Sequence, residues 1–146
     1  MNLFAAIGRD WGPAMNAADR TRVCLAFGFV FGAVSHVGWV FAHGDAWYHG
    51  PGPEWAPWFW YSLCLIDLGV CWLMLATVRA GVLAGALTMA VSLWVNWTQF
   101  PTFEFQFNYV LLGLTLFGVM MFAATPWLWL SSTWRLNRQS SGHNAD

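Results

Sequence analysis

Four apolar segments, each about twenty residues long, decide what this chain can fold into. They lie at about residues 23–42, 57–78, 80–100 and 106–130. A helix needs roughly 20 apolar residues to cross a hydrocarbon core of about 30 Å. The pattern therefore predicts an all-α fold, a transmembrane bundle of four helices in which consecutive helices run antiparallel.

The composition agrees with a membrane protein and excludes one class of partner. Apolar residues make up 58% of the 146 residues and charged residues only 9%, against about 25% in soluble domains. The sequence contains no lysine, so it offers no basic patch for a nucleic acid. We predict one membrane domain over residues 1–146. Its polar tail at 131–146 is expected to be disordered from Asn137 onward.

The arginines predict the orientation. With four spans, all six of them fall on one side: Arg9, Arg20, Arg22, Arg79, Arg135 and Arg138. The loops on the other side, residues 43–56 and 101–105, carry only acidic charges. Because arginine accumulates in cytoplasmic segments, both termini are expected in the cytoplasm, with the chain in the inner or plasma membrane. Arg79 and Gly81 interrupt an apolar run of more than forty residues, which predicts a tight helical hairpin there.

Asp67 is the most informative single residue. It lies near the middle of the second segment, where a carboxylate costs roughly 2.5–3.5 kcal/mol on insertion scales. It should therefore face the bundle interior, with Cys64 and Cys71 on the same helix face. One interpretation is a proton-handling or ligand-binding group; the other is a carboxyl group that hydrogen-bonds a neighbouring helix.

His36 is the only histidine inside a predicted span. Gly28, Gly32 and Ser35 share its helix face, and the two glycines at this spacing would let another backbone approach closely. His36 should therefore point inward, at a depth where it could contact Asp67. The alternative role is one interhelical hydrogen bond. Haem ligation is disfavoured because one buried histidine cannot supply both axial ligands.

The third segment has a polar stripe with a period close to 3.6 residues. It consists of Gly81, Gly85, Thr88, Ser92, Asn96 and Gln99. Asn96 and Gln99, together with Asn108 in the fourth segment, His36 and Asp67, are the candidate pocket residues in the outer half of the bundle. Aromatic residues such as Trp58, Trp60 and Trp97 would belt the outer rim or roof this pocket. The alternative is a set of interhelical hydrogen bonds.

The first outer loop is a weaker candidate for a metal site. It contains His43, Asp45, His49 and Glu54, whose side chains suit zinc or another divalent ion, and Glu104 in the second outer loop is a conceivable fourth ligand. The spacing matches no metal-binding signature, so we predict a solvated polar loop and no metal.

Two function classes follow from these features. The first is an accessory or structural membrane subunit, with the lipid bilayer and a membrane-protein partner or a second copy as its contacts. The alternative is a protein that binds or converts a lipid-like small molecule in the outer-half pocket. A proton-coupled transporter fits less well, since four spans are few and no inverted repeat is present. No catalytic motif occurs, and the sequence assigns neither an enzymatic activity nor a cofactor.

Overall fold

The computed structural model describes residues 15–44, 53–99 and 108–142, which fold into four helices. They are α1 (Ala17–His43), α2 (Ala56–Ala76), α3 (Val78–Gln99) and α4 (Asn108–Gly142). Each helix contains a segment long and apolar enough to cross a membrane: Ala17–Ala42, Ala56–Ala76, Val78–Gln99 and Tyr109–Ser132. The all-helical class and the four segments are therefore as the sequence predicts.

Helix α1 begins at Ala17 rather than near residue 23. Its start is fixed by a capping box, in which the Asn16 side chain accepts a hydrogen bond from the Asp19 backbone at 3.0 Å. The Asp19 carboxylate in turn accepts from the Asn16 backbone at 3.2 Å. Such reciprocal bonds satisfy backbone donors that a helix start leaves open. Hydropathy misses this turn because its charged residues count against a span.

The turn between α2 and α3 consists of Thr77 alone, which is extended at φ −143° and ψ 124°. The predicted break at Arg79 and Gly81 is therefore displaced, since both residues are already helical in α3. Gly81 makes the short turn feasible. A Cβ atom there would lie 2.4 Å from Met74 Cα and 2.5 Å from Met74 N, so the two backbones touch at this point.

Helix α4 is 35 residues long and continues to Gly142. The expected disorder of the tail is thus wrong for residues 137–142, and residues 143–146 lie outside the described part. Extending an existing helix needs no new nucleation, which lets polar residues continue it. Pro126 lies within α4, and because proline has no N–H, the Phe122 carbonyl lacks its usual helical donor.

Each helix packs against the next one in sequence, and α1 also contacts α4. A central apolar cluster joins all four helices and includes Phe29, Met74, Val82 and Met121. Phe29 meets Phe117 edge to face, with ring centroids 5.2 Å apart. Within a membrane, association rests on this kind of close packing because lipid is as apolar as the side chains.

The glycine faces pack differently from the expectation. A Cβ at Gly28 would lie 2.3 Å from the Phe117 ring, and one at Gly32 would lie 2.7 Å from the Asp67 carboxylate. Side chains, rather than a neighbouring backbone, therefore fill the space that these two glycines leave. Ser35 is exposed and donates to the Phe31 carbonyl of its own helix at 2.7 Å, so it does not belong to the interior face.

Candidate functional site

The carboxyl group of Asp67 lies inside the bundle, between α2 and α1. The residue is only 6% exposed, and Gly32 on α1 provides the space for it. Among the residues that the structure describes, no side chain or backbone group donates a hydrogen bond to this carboxyl. A buried carboxyl group in a span marks a candidate functional site.

Asp67 separates two apolar clusters. On the side toward the turn at Thr77 are Val70 and Phe29 of the central cluster. On the opposite side are Leu63 and Trp60, packed with Trp39 of α1 in a second cluster. The carboxyl group and Gly32 thus form a thin polar layer between two apolar ones. Apolar packing on both sides limits the access of water to this layer.

His36 borders the same layer. It is half-buried and lies one helical turn beyond Gly32 on α1. Within the described part of the chain, no hydrogen bond joins His36 to Asp67. The contact that the sequence allowed between these two side chains is therefore not a hydrogen bond here, although they lie on adjoining helices at neighbouring depths.

The amide-bearing residues of α3 lie farther from the turn at Thr77 than Asp67 does. Asn96 is buried, and its Nδ2 donates to the Ser92 carbonyl of its own helix at 2.8 Å. Measured from the turn at Thr77, Asp67 and Asn96 differ in depth by nine residues, or about 13.5 Å at 1.5 Å per residue. Gln99 is half-buried one turn beyond Asn96. Asp67 and Asn96 therefore lie at different levels of the bundle, and the shared pocket stays a prediction.

Asn108, the remaining pocket candidate, opens α4, and its side chain lies outside the described part of the structure.

The outer aromatic residues divide into two groups. Trp58 and Trp97 are 71% and 53% exposed, as a membrane-interface belt requires. Trp60, which we expected in the same belt, is 2% exposed and fills the space between α2 and α1 instead. Trp97 donates through Nε1 to Thr115 Oγ1 at 3.3 Å, and this bond links α3 to α4.

The sequence did not reveal what Arg22 does. Its side chain is 1% exposed, and Nε donates to the Met74 carbonyl while Nη2 donates to the Leu75 carbonyl at 2.7 Å. The last carbonyls of a helix have no partner within it and carry partial negative charge, so Arg22 caps α2 from α1. The only sequence signal is its spacing of three from Asp19, which places both on one helix face.

Arg79 makes the corresponding contact between α3 and α4. Its Nε donates to Ser132 Oγ at 3.2 Å, and its guanidinium lies over the Trp129 ring, 5.5 Å from the centroid. Such cation–π contacts stabilise by about 0.5–2 kcal/mol. We call the end of the bundle that contains Arg22 and Arg79 the arginine end.

The candidate metal loop falls mostly outside the described residues. Asp45, His49 and Glu104 lie outside them, as does the side chain of His43. Glu54 is exposed in the turn before α2. Within the described ranges, no three His, Cys, Asp or Glu side chains are close enough together to hold a metal ion. The solvated loop therefore stays a prediction.

The outward surface indicates a membrane protein. Large apolar side chains point away from the bundle on every helix, among them Phe31 (74% exposed), Leu65 (76%) and Leu87 (59%). Such a surface suits lipid, whereas a soluble monomer rarely exposes extended apolar patches. Comparison with models of protein families, with curated proteins and with solved structures finds no match.

Proposed function

We propose that the chain is an integral protein of the inner or plasma membrane, an antiparallel bundle with both termini in the cytoplasm. The contacts at the arginine end support this arrangement. Arg22 near the start of α1 meets the end of α2, and Arg79 near the start of α3 meets Ser132 in the second half of α4. Arginine at one end of a bundle is typical of the cytoplasmic side.

Fusion proteins test this orientation. Alkaline phosphatase attached after Asp146 should be inactive, because it folds only outside the cytoplasm, whereas a fluorescent protein at the same position should fluoresce. An active phosphatase fusion would reverse the proposed orientation.

Within the membrane, we assign the chain the role of an accessory subunit that docks other helices on its outer surface. The observation that carries this role is a set of glycines on outward faces. Gly38, Gly69 and Gly113 lie on three different helices, and a Cβ at any of them would meet nothing within 4 Å. Small residues are enriched where membrane helices approach one another, and the interior packing of this bundle uses none of these three.

Native mass spectrometry of the protein, gently extracted from its own membrane, tests the role. The wild type should carry a second polypeptide, another protein or a second copy, in fixed stoichiometry. Gly69→Leu and Gly113→Leu place a side chain in open space, so they should leave the bundle folded and remove at least one such partner. Recovery of the wild type as a bare monomer would contradict the proposal.

A matched control distinguishes loss of docking from loss of folding. At Gly85, a Cβ would lie 2.9 Å from both Met121 Cε and Met74 Cε. Gly85→Leu should therefore disturb the bundle itself and broaden its unfolding transition. If the outward variants unfold as Gly85→Leu does, the outward glycines serve internal packing instead.

The polar layer at Asp67 supports a second candidate, the binding of a lipid-like small molecule. The favouring observation is the buried carboxyl with no donor among the described residues. A bound molecule would then present a hydroxyl or an amine to it, with His36 at the edge of the layer. Asn96 and Gln99 would contact only a longer ligand that extends outward.

The nearly isosteric Asp67→Asn tests this candidate. This variant should leave the mass of the protein assembly unchanged, and it should no longer carry a co-purifying small molecule. Retention of that molecule by Asp67→Asn would exclude the carboxyl from binding.

A further inference from the structure

A cleft opens between α1 and α4 on the side of the bundle near the arginine end. Its volume is about 490 Å³, within the roughly 300–1,000 Å³ typical of ligand sites. From α1 it is lined by Arg20, Thr21 and Cys24, and from α4 by Met120, Ala123 and Trp127. The cleft is distinct from the polar layer at Asp67, which lies between α1 and α2.

The charge of the cleft is concentrated at one end. Arg20 is exposed, and among the residues that the structure describes its guanidinium makes no hydrogen bond or ion pair; its backbone N–H is bonded to the Asn16 carbonyl. Arg22 and Arg79, by contrast, are held by carbonyl and hydroxyl groups. Thr21 and Trp127 add a hydroxyl and an indole N–H to the lining, and the remainder of the lining is apolar.

The length of the cleft limits what kind of molecule can bind in it. From Met120 to Trp127 it follows α4 for about 10 Å, at 1.5 Å per residue. A transmembrane helix needs a surface of about 30 Å, so the cleft is too short for one. Part of a lipid chain in a single leaflet matches both its length and its apolar lining.

We propose that this cleft binds one anionic phospholipid of the cytoplasmic leaflet. The phosphate would accept hydrogen bonds from the Arg20 guanidinium, whose planar geometry suits phosphate oxygens. The acyl chain would lie against Cys24, Met120 and Ala123. Basic pockets between membrane helices on the cytoplasmic side bind anionic headgroups, and Arg20 is the one basic residue among the described residues that line this cleft. The proposal rests on the proposed orientation, which places Arg20 at that leaflet.

Native mass spectrometry of the purified full chain measures the binding. The protein is titrated with phosphatidylglycerol or with phosphatidylcholine of identical chains, and the fraction carrying one lipid is compared. The wild type should prefer phosphatidylglycerol by about fivefold, the effect of one arginine near an anionic surface. Arg20→Gln should abolish the preference, and Arg20→Lys should retain most of it.

A second pair of variants tests the chain-binding part. Ala123→Phe fills the cleft without a change of charge and should lower the occupancy of both lipids. Ala90→Phe makes the same change at an exposed position of α3, outside the cleft, and should have no effect. Equal binding of the two lipids by the wild type would overturn the proposal. An equal lipid occupancy in Ala123→Phe and Ala90→Phe would also overturn the proposal.

The same spectra separate this proposal from the accessory role. Lipid adducts report on the cleft, whereas the mass of the protein assembly reports on the outward glycines. The fusion experiment tests the orientation independently of both.

Discussion

Replacement of Gly81 by alanine should be among the most destabilising one-methyl changes in this chain. The added Cβ would lie 2.4 Å from Met74 Cα, about 1 Å short of an ordinary contact. Because Met74 Cα belongs to the backbone, no side chain can rotate to relieve the overlap. To relieve the overlap, α2 and α3 must move apart near Thr77, where Arg22 also donates a hydrogen bond to the Met74 carbonyl.

The magnitude follows from two opposing terms. Overpacking of a tight interior costs typically 1–3 kcal/mol, and the shift should weaken the cap that Arg22 provides. Alanine regains at most about 1 kcal/mol of helix propensity over glycine. We therefore expect Gly81→Ala to lower the free energy of unfolding by about 2 kcal/mol or more.

Titration with SDS in mixed micelles measures this free energy, with the fluorescence of the 12 tryptophans as the signal. Gly69→Ala is the matched control, because a Cβ there meets nothing within 4 Å. It should leave stability unchanged or raise it by up to about 1 kcal/mol. Equal midpoints for the two variants would refute the close contact at the turn.

Three further changes can be followed in the same titration. Arg22→Gln removes two charged hydrogen bonds from the end of α2 and should lower the free energy of unfolding by about 2–4 kcal/mol. Arg20→Gln changes an exposed side chain and should alter it by less than about 0.5 kcal/mol. Equal losses of stability in these two variants would show that the cap is energetically unimportant. Trp97→Phe removes one interhelical bond and should cost about 0.6 kcal/mol, so a loss above 2 kcal/mol would mean that Trp97 also packs in the interior. Gly85→Leu should cost more than 3 kcal/mol, since several methylenes enter space already held by Met121 and Met74; a fully stable variant would contradict that packing.

The candidate site could be predicted only in part. Asp67 is buried as its position in an apolar helix required, because the cost of a carboxyl in lipid turns it inward. Which side chains lie near its carboxyl group was not predictable. The sequence placed Asn96 and His36 in the same half of the bundle, but a difference of a few residues in helix register separates side chains by several ångströms.

The sequence by itself determined the number of spans, since the length of an apolar run is matched to the thickness of a membrane. It also indicated the stripe on α3, of which Gly81, Gly85, Ser92 and Asn96 are buried. These properties are local, and a periodicity of 3.6 residues records them directly.

Only the tertiary structure decided what each charged or bulky side chain meets. Arg22 looks like an ordinary cytoplasmic arginine until the end of α2 is placed beside it. Trp60 looks like an interface residue until α1 covers it. Both outcomes depend on how neighbouring helices rotate and align, and that alignment is set by close contacts such as Gly81 with Met74. Hydropathy carries no information on such contacts, because they join residues of different helices.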